Sequence, residues 1–182
     1  MIPVGELVMA MGNNGILQKL TGGDLRSIGR ADEVVAELIN NPALFGKVFK
    51  GMKSGNPLIR MRAADVIEKV AKAHPEYLMP YKIELINEVT KIDQQEVRWH
   101  VALMFTYLEL TEAEKAVVLE ILLSWLEKSK SRILKVNCLE ALVHIAGKDE
   151  KYRHKIAGIL EEVIATGSPA MVARAKKLIR KL

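Results

Sequence analysis

One passage of this chain occurs four times. Ile59-Arg60-Met61-Arg62-Ala63-Ala64-Asp65-Val66-Ile67 sets its form: an aliphatic residue, a basic residue, then an Ala-rich apolar stretch. Val97-Arg98-Trp99-His100-Val101-Ala102-Leu103-Met104-Phe105 and Leu134-Lys135-Val136-Asn137-Cys138-Leu139-Glu140-Ala141-Leu142 repeat it, and Met171-Val172-Ala173-Arg174-Ala175-Lys176-Lys177-Leu178-Ile179 is a degraded last copy. The copies begin at 59, 97, 134 and 171, steps of 38, 37 and 37 residues. Within each copy the apolar residues recur at helical spacing, and a single helix cannot bury such a stripe alone. A period of this length therefore predicts stacked helix pairs, an α-solenoid in which each pair covers its neighbour. Such a fold generates surface and does not by itself prescribe a reaction.

The bulk composition agrees. The chain of 182 residues has the length of one domain, and 49% apolar with 27% charged residues argues against membrane and disordered classes. No apolar run is long enough to span a bilayer. The single cysteine, Cys138, excludes an intrachain disulfide and points to a reducing, cytoplasmic compartment. Residues Met1 to Met11 are apolar, but no basic residue precedes Leu7-Val8-Met9-Ala10-Met11, so the segment is expected to be a short helix or apolar arm and not a secretory signal. The net charge of +5 is uneven: residues 1–127 hold 14 Lys/Arg and 17 Asp/Glu, and residues 128–182 hold 13 and 5.

Punctuation divides the chain into pairs. Asn41-Pro42, Asn56-Pro57 and Ser168-Pro169 each put a capping side chain before a proline suited to a first helical turn. Thr111 and Glu114 fit a capping box. Gly55, Gly147 and Gly167 fit helix ends that need a left-handed residue, and His74-Pro75 and Met79-Pro80 are breaks. The expected pairs are about 42–73, 75–109, 112–146 and 150–181, a repeat domain over 42–182. Outer helices bury Leu44/Val48/Met52, Leu85/Val89/Ile92, Leu119/Leu122/Leu126 and Ile156/Ile159/Val163. Residues 1–41 form an arm and capping helix: 12–23 is expected as a loop, and Ala31 to Asn40 as one amphipathic helix with Val34, Val35, Leu38 and Ile39 apolar. The whole is expected as one structural domain.

The Ile59-Arg60 to Val70 and Leu134-Lys135 to Ala146 segments resemble second helices of HEAT repeats, a likeness that covers residues 42–182. Arg60-Met61-Arg62-Ala63-Ala64-Asp65, Glu96-Val97-Arg98-Trp99-His100 and Thr166-Gly167-Ser168-Pro169-Ala170-Met171 are also similar to segments of a group of bacterial HEAT-like proteins. The resemblance implies an all-α fold: a right-handed α-α superhelix of HEAT/armadillo kind, with about four helix pairs and an N-terminal helical cap. It brings no activity. It also implies a ladder between repeats, in which Arg60, Arg98 and Lys135 meet acidic residues and which Val172 ends.

On a wheel of about 100° per residue, Ile59, Ala63, Val66, Ile67 and Val70 share the core side of the first inner helix, and Cys138 falls on the small core position of Ala63 and Ala175. A packed, unreactive thiol is expected there. The opposite side is expected to line a concave face in columns: Met61, Trp99, Val136 and Ala173; Arg62, His100, Asn137 and Arg174; Asp65, Leu103, Glu140 and Lys177; Glu68, Thr106, Val143 and Arg180; Lys69, Tyr107, His144 and Lys181. Trp99, Leu103 and Tyr107 recur every four residues, as partner anchors or as packing between inner helices.

No phosphate loop is present, and Gly12-Asn13-Asn14-Gly15 is expected to be a turn. No metal-ligand spacing occurs, and Glu140 with His144 fits an ordinary helical pair. No catalytic residue, metal or cofactor is indicated. The expected function is a non-enzymatic scaffold that holds a protein partner against Met61, Arg62, Asp65, Trp99, His100, Leu103, Tyr107, Val136, Asn137, Glu140 and His144. The alternative is nucleic-acid binding, with Lys135, Arg174, Lys177, Arg180 and Lys181 on phosphates. A third reading is a relative of the HEAT-like alkylpurine DNA glycosylases, which Trp99, Arg62, Arg174 and either Asp65 or Glu140 resemble in composition and placement only.

Overall fold

The computed structural model describes residues 15–147 and 149–182, which contain helices and turns and no strand. Compactness divides the chain into two units, Met1–His100 and Val101–Leu182. The expected arm at Met1 to Met11, and most of the Gly12 to Gly15 turn, lie outside the described residues.

In the first unit, residues 15–18 are helical within the segment expected as a loop, because Ile16 and Leu20 find apolar cover and are buried. After a loop, α1 runs Ala31–Asn40, with Ala31, Val34 and Leu38 inward and Ile39 exposed. A 3-10 turn at Pro42–Leu44 leads into α2, Phe45–Gly51. The long helix α3, Pro57–Ala73, begins where the sequence marks it: Asn56 Oδ1 accepts from the Leu58 amide at 2.9 Å. Helices α1 and α2 both pack on α3, burying Val34, Leu38, Val48, Phe49, Met52, Ala63, Val66, Ile67 and Val70 completely.

The outer element of the second pair is broken into short pieces. Turns at Pro75–Tyr77 and Met79–Tyr81 precede α4, Lys82–Asn87, and another turn at Val89–Lys91 precedes α5, Gln95–Met104. Pro75 and Pro80 remove amide donors and restrict the residues before them, so no continuous helix forms. Leu85 and Val89 nevertheless point inward, as their spacing requires.

In the second unit a turn at Phe105–Tyr107 precedes α6, Glu112–Lys128. The capping box is present: Glu114 Oε2 accepts from the Thr111 amide at 2.8 Å, and Thr111 Oγ1 accepts from the Glu114 amide at 3.3 Å. Then follow α7, Arg132–Gly147, α8, Glu150–Thr166, and α9, Pro169–Leu178, closed by a turn at Ile179–Lys181. Helix α7 touches α6, α8 and α9 and is the most buried. Asp149 caps α8 by accepting from the Lys151 amide at 3.1 Å, and it meets Lys115 of α6 at 3.3 Å.

Two expectations need correction. Gly55, Gly147 and Gly167 are not left-handed: positive φ occurs, among the described residues, only at Gly22, Gly23 and Gly29. At the end of α8, Gly167, at φ −75°, donates to the Val163 carbonyl at 2.9 Å.

The second correction concerns Arg62, expected on an open face. It is 1% exposed and among the largest fully buried side chains. Its Nε donates to the Ser27 carbonyl at 3.0 Å, one terminal nitrogen to the carbonyls of Leu20, Thr21 and Gly22 at 3.0, 3.0 and 2.7 Å, and the other to that of Asp24 at 3.2 Å. The loop between the first helical turn and α1 winds around one guanidinium. The left-handed glycines make this winding possible, and a Cβ on Gly29 would sit 2.8 Å from the guanidinium carbon. Met61, the neighbouring expected surface residue, is also buried.

Arg62→Met removes all five hydrogen bonds that α3 gives this loop and should destabilise the protein by about 3 kcal/mol. Gly29→Ala should destabilise in the same direction through its φ of +57° and the collision with Arg62. Urea unfolding followed by circular dichroism measures both, and a change in Arg62→Met below about 0.5 kcal/mol, the range of an ordinary surface substitution, would refute the role.

Candidate functional site

In the first unit the repeat's basic position is engaged. Arg60 Nε donates to Gln94 Oε1 at 2.7 Å, and one terminal nitrogen donates to the carbonyls of Ser54 and Gly55 at 2.9 and 3.2 Å. The Gln94 amide donates in turn to the Pro57 carbonyl at 3.0 Å. Here the expected acidic partner is replaced by a neutral amide, and Arg98 meets an acid, Asp93, at 3.0 Å within its own pair and not between repeats.

Asp65 pairs with Lys69 one helical turn on, at 2.9 Å, and Lys69 also reaches Asp32 of α1 at 2.9 Å. Burial works against the Lys69 charge, but hydrogen bonds to these two carboxylates outweigh it and hold its pKa above the ordinary value. His100 Nδ1 lies 3.6 Å from the Glu68 carboxylate, and Trp99 is half-buried. Of the groove residues expected in this unit, Asp65, Trp99 and His100 retain partial exposure, and Met61 and Arg62 do not.

The second unit brings more of the expected residues together. An open depression of about 330 Å³ is lined by Thr106, Glu140, Val143, His144, Gly147, Leu178 and Lys181. Its expected members come from successive copies of the repeat: Thr106 from the second, Glu140, Val143 and His144 from the third, and Lys181 from the fourth. Glu140 forms an ion pair with Arg174, tying α7 to α9. His144 and Lys181 are exposed, and Leu103, Tyr107, Val136 and Asn137 are half-buried. The α-helix ends at Met104 and Tyr107 stands on a tighter turn, so the step from Leu103 to Tyr107 is not one turn of α-helix.

The five expected phosphate contacts separate. Lys177, Arg180 and Lys181 are exposed, and Arg174 is held by Glu140. Lys135 lines a different cleft, of about 600 Å³, with Leu123, Leu126 and Glu127 of α6, Ile159, Glu162 and Val163 of α8, and Ser168 and Met171 at the start of α9. Wheel analysis of the inner helices missed this cleft because outer helices supply most of its wall. Leu126, Ile159 and Val163, expected as outer-helix core, are only half-buried.

Cys138 is enclosed, as expected, and burial pushes its thiol up to about 12. It is a packing group at physiological pH and not a nucleophile. Among the described residues, no three His, Cys, Asp or Glu side chains converge to hold a metal ion, and no helix is long and apolar enough to cross a membrane. Comparison with protein-family models, with curated proteins and with solved structures gives no match.

In the unfolded chain the Cys138 thiol ionises near its ordinary value of about 9, and in the folded chain only near 12. Its contribution to stability is complete below the lower value and is lost as pH rises through this window. An Ellman-type reagent at pH 8 should leave native protein untouched and label one thiol per chain in denaturant. Rapid labelling of native protein would show that Cys138 is accessible.

Proposed function

We propose that the chain is a non-catalytic scaffold of HEAT-like repeats, its pairs following one another as a right-handed superhelix, and that its inner-helix face holds a segment of another protein. The observation that carries this reading is the register of the second unit: Thr106, Glu140, Val143, His144 and Lys181, assigned to one face from the repeat alone, line one depression. An open surface of mixed polarity with an ion pair at its floor suits contact with a chain more than chemistry on a small molecule. Exposed Lys177, Arg180 and Lys181 favour a segment carrying acidic residues. The exposed part of Trp99 supplies the aromatic element of the first unit.

Nucleic-acid binding is the second reading, and the exposed Lys177, Arg180 and Lys181 support it. With Arg174 neutralised and Lys135 in a separate cleft, it rests on about three phosphate contacts and a correspondingly shallow salt dependence. The glycosylase reading has less to stand on, because Arg62 is enclosed and Arg174 and Glu140 neutralise each other.

A photo-crosslinking residue at position 144, with position 133 as the exposed control, separates these readings in extract of the source cell. The scaffold reading expects a discrete protein adduct at 144, absent at 133, insensitive to nuclease and reduced several-fold by Lys181→Glu in a chain that still melts cooperatively. An adduct lost on nuclease treatment assigns the face to nucleic acid, and equal adducts at both positions remove the proposal.

A further inference from the structure

The repeat points to a second place, away from the inner face. Three residues before each copy stand Asn56, Gln94, Ser131 and Ser168. In the first unit this position closes a joint between consecutive pairs. Gln94 accepts from Arg60, which stands at the basic position of the preceding copy, and donates to the Pro57 carbonyl, so its polar side-chain atoms are satisfied.

In the second unit the same two positions are Lys135 and Ser168, and the joint is open. Serine is shorter than glutamine and does not span the gap. Its Oγ is buried, has no hydrogen-bond partner and does not cap α9. Lys135, half-buried, forms no ion pair among the described residues. Both line the cleft of about 600 Å³, whose apolar wall is Leu123, Leu126, Ile159, Val163 and Met171. Exposed Glu127 and Glu162 also line it and are likewise without an ion pair among the described residues.

We propose that this cleft binds a small aliphatic carboxylate. The volume lies in the range of small-molecule sites, and the wall is aliphatic except for a few polar groups, the usual division between a part that holds the body of a ligand and a part that orients it. The unused polar groups choose the head. An ammonium and a hydroxyl can both donate, and a carboxylate can accept from both at once. The chain of the ligand then covers aliphatic side chains that are only half-buried. Glu127 and Glu162 oppose an anion, but they are exposed, so water and salt screen them. The site is distinct from the inner-helix face and stands independently of the scaffold reading.

Isothermal titration of the full chain with octanoate tests this, with octylamine and a short peptide ending in a Leu carboxylate as parallel arms. The expected result is one saturable octanoate site per chain. Ser168→Gln, which installs the residue that closes the joint at Gln94, and Lys135→Gln should each weaken it at least tenfold without lowering the melting temperature. Glu162→Gln should tighten it several-fold, most at low salt. If Ser168→Gln does not fold, Ser168→Ala serves, with a several-fold loss expected from removal of one donor. The proposal is overturned if octanoate does not saturate, if octylamine binds as well, or if only the peptide binds, which would make the cleft a dock for a protein terminus. Octanoate binding that ignores both Lys135→Gln and every folded variant at Ser168 overturns it equally.

Discussion

One guanidinium organises the N-terminal unit. The loop between the first helical turn and α1 has no ladder or helix to satisfy its carbonyls, and a loop packed against a core cannot leave them bare. Arg62 meets five of them from inside. Arginine suits this task better than lysine because its donors form a rigid planar fork and its charge is delocalised and weakly hydrated. Carbonyl dipoles, not a carboxylate, surround the charge. With the loop fixed on α3, α1 returns across the same helix and delivers Val34 and Leu38 to its apolar face. The left-handed glycines at 22, 23 and 29 are consequences of the same centre, since the backbone must turn tightly around a flat group.

The repeated basic position shows how one motif serves different local ends. Arg60 reaches a glutamine and two carbonyls, Arg98 reaches an aspartate, and Lys135 is left with a serine as its counterpart. Side-chain reach explains the difference. The long guanidinium and long amide of Arg60 and Gln94 together bridge a gap between helices, and the shorter Ser168 leaves its side of the corresponding gap unfilled. The shorter Ser168 thus stands beside a cleft at Lys135, most of whose wall α6 and α8 supply.

Much of the local architecture was legible because it depends on local chemistry. The span of α1, the start of α3 at Asn56-Pro57 and the Thr111 box follow from caps and periodicity within a few residues. The enclosure of Cys138 follows from its register with Ala63 and Ala175. What failed depends on distant chain. The wheel gave Arg62 an open side because nothing in the repeat says that residues 20–29 lie over it. The breaks at His74-Pro75 and Met79-Pro80 are where the sequence marks them, but the further interruption between Asn87 and Val89 has no proline to announce it. In the second unit Thr106, Val143, His144 and Lys181 line one depression, while Leu103, Tyr107, Val136 and Asn137 do not. The cleft at Lys135 was hidden because its signal is a missing atom chain at Ser168, visible only when Gln94 shows what a closed joint requires.

The charges around the depression differ in freedom, and that bears on how a partner would use them. Arg174 is fixed by Glu140, so the floor between α7 and α9 is rigid and near neutral. Lys177, Arg180 and Lys181 are exposed at the end of the chain's last helix and turn, where solvent screens them and their side chains keep rotamer freedom. Ordering such side chains has an entropic cost comparable with what an exposed ion pair returns. For the partner proposed above, their main effect would therefore be long-range attraction that speeds encounter with an anionic segment. Retention must come from the less mobile groups, the half-buried Leu103, Tyr107, Val136 and Asn137, whose positions are already held by packing and whose contact costs little further order.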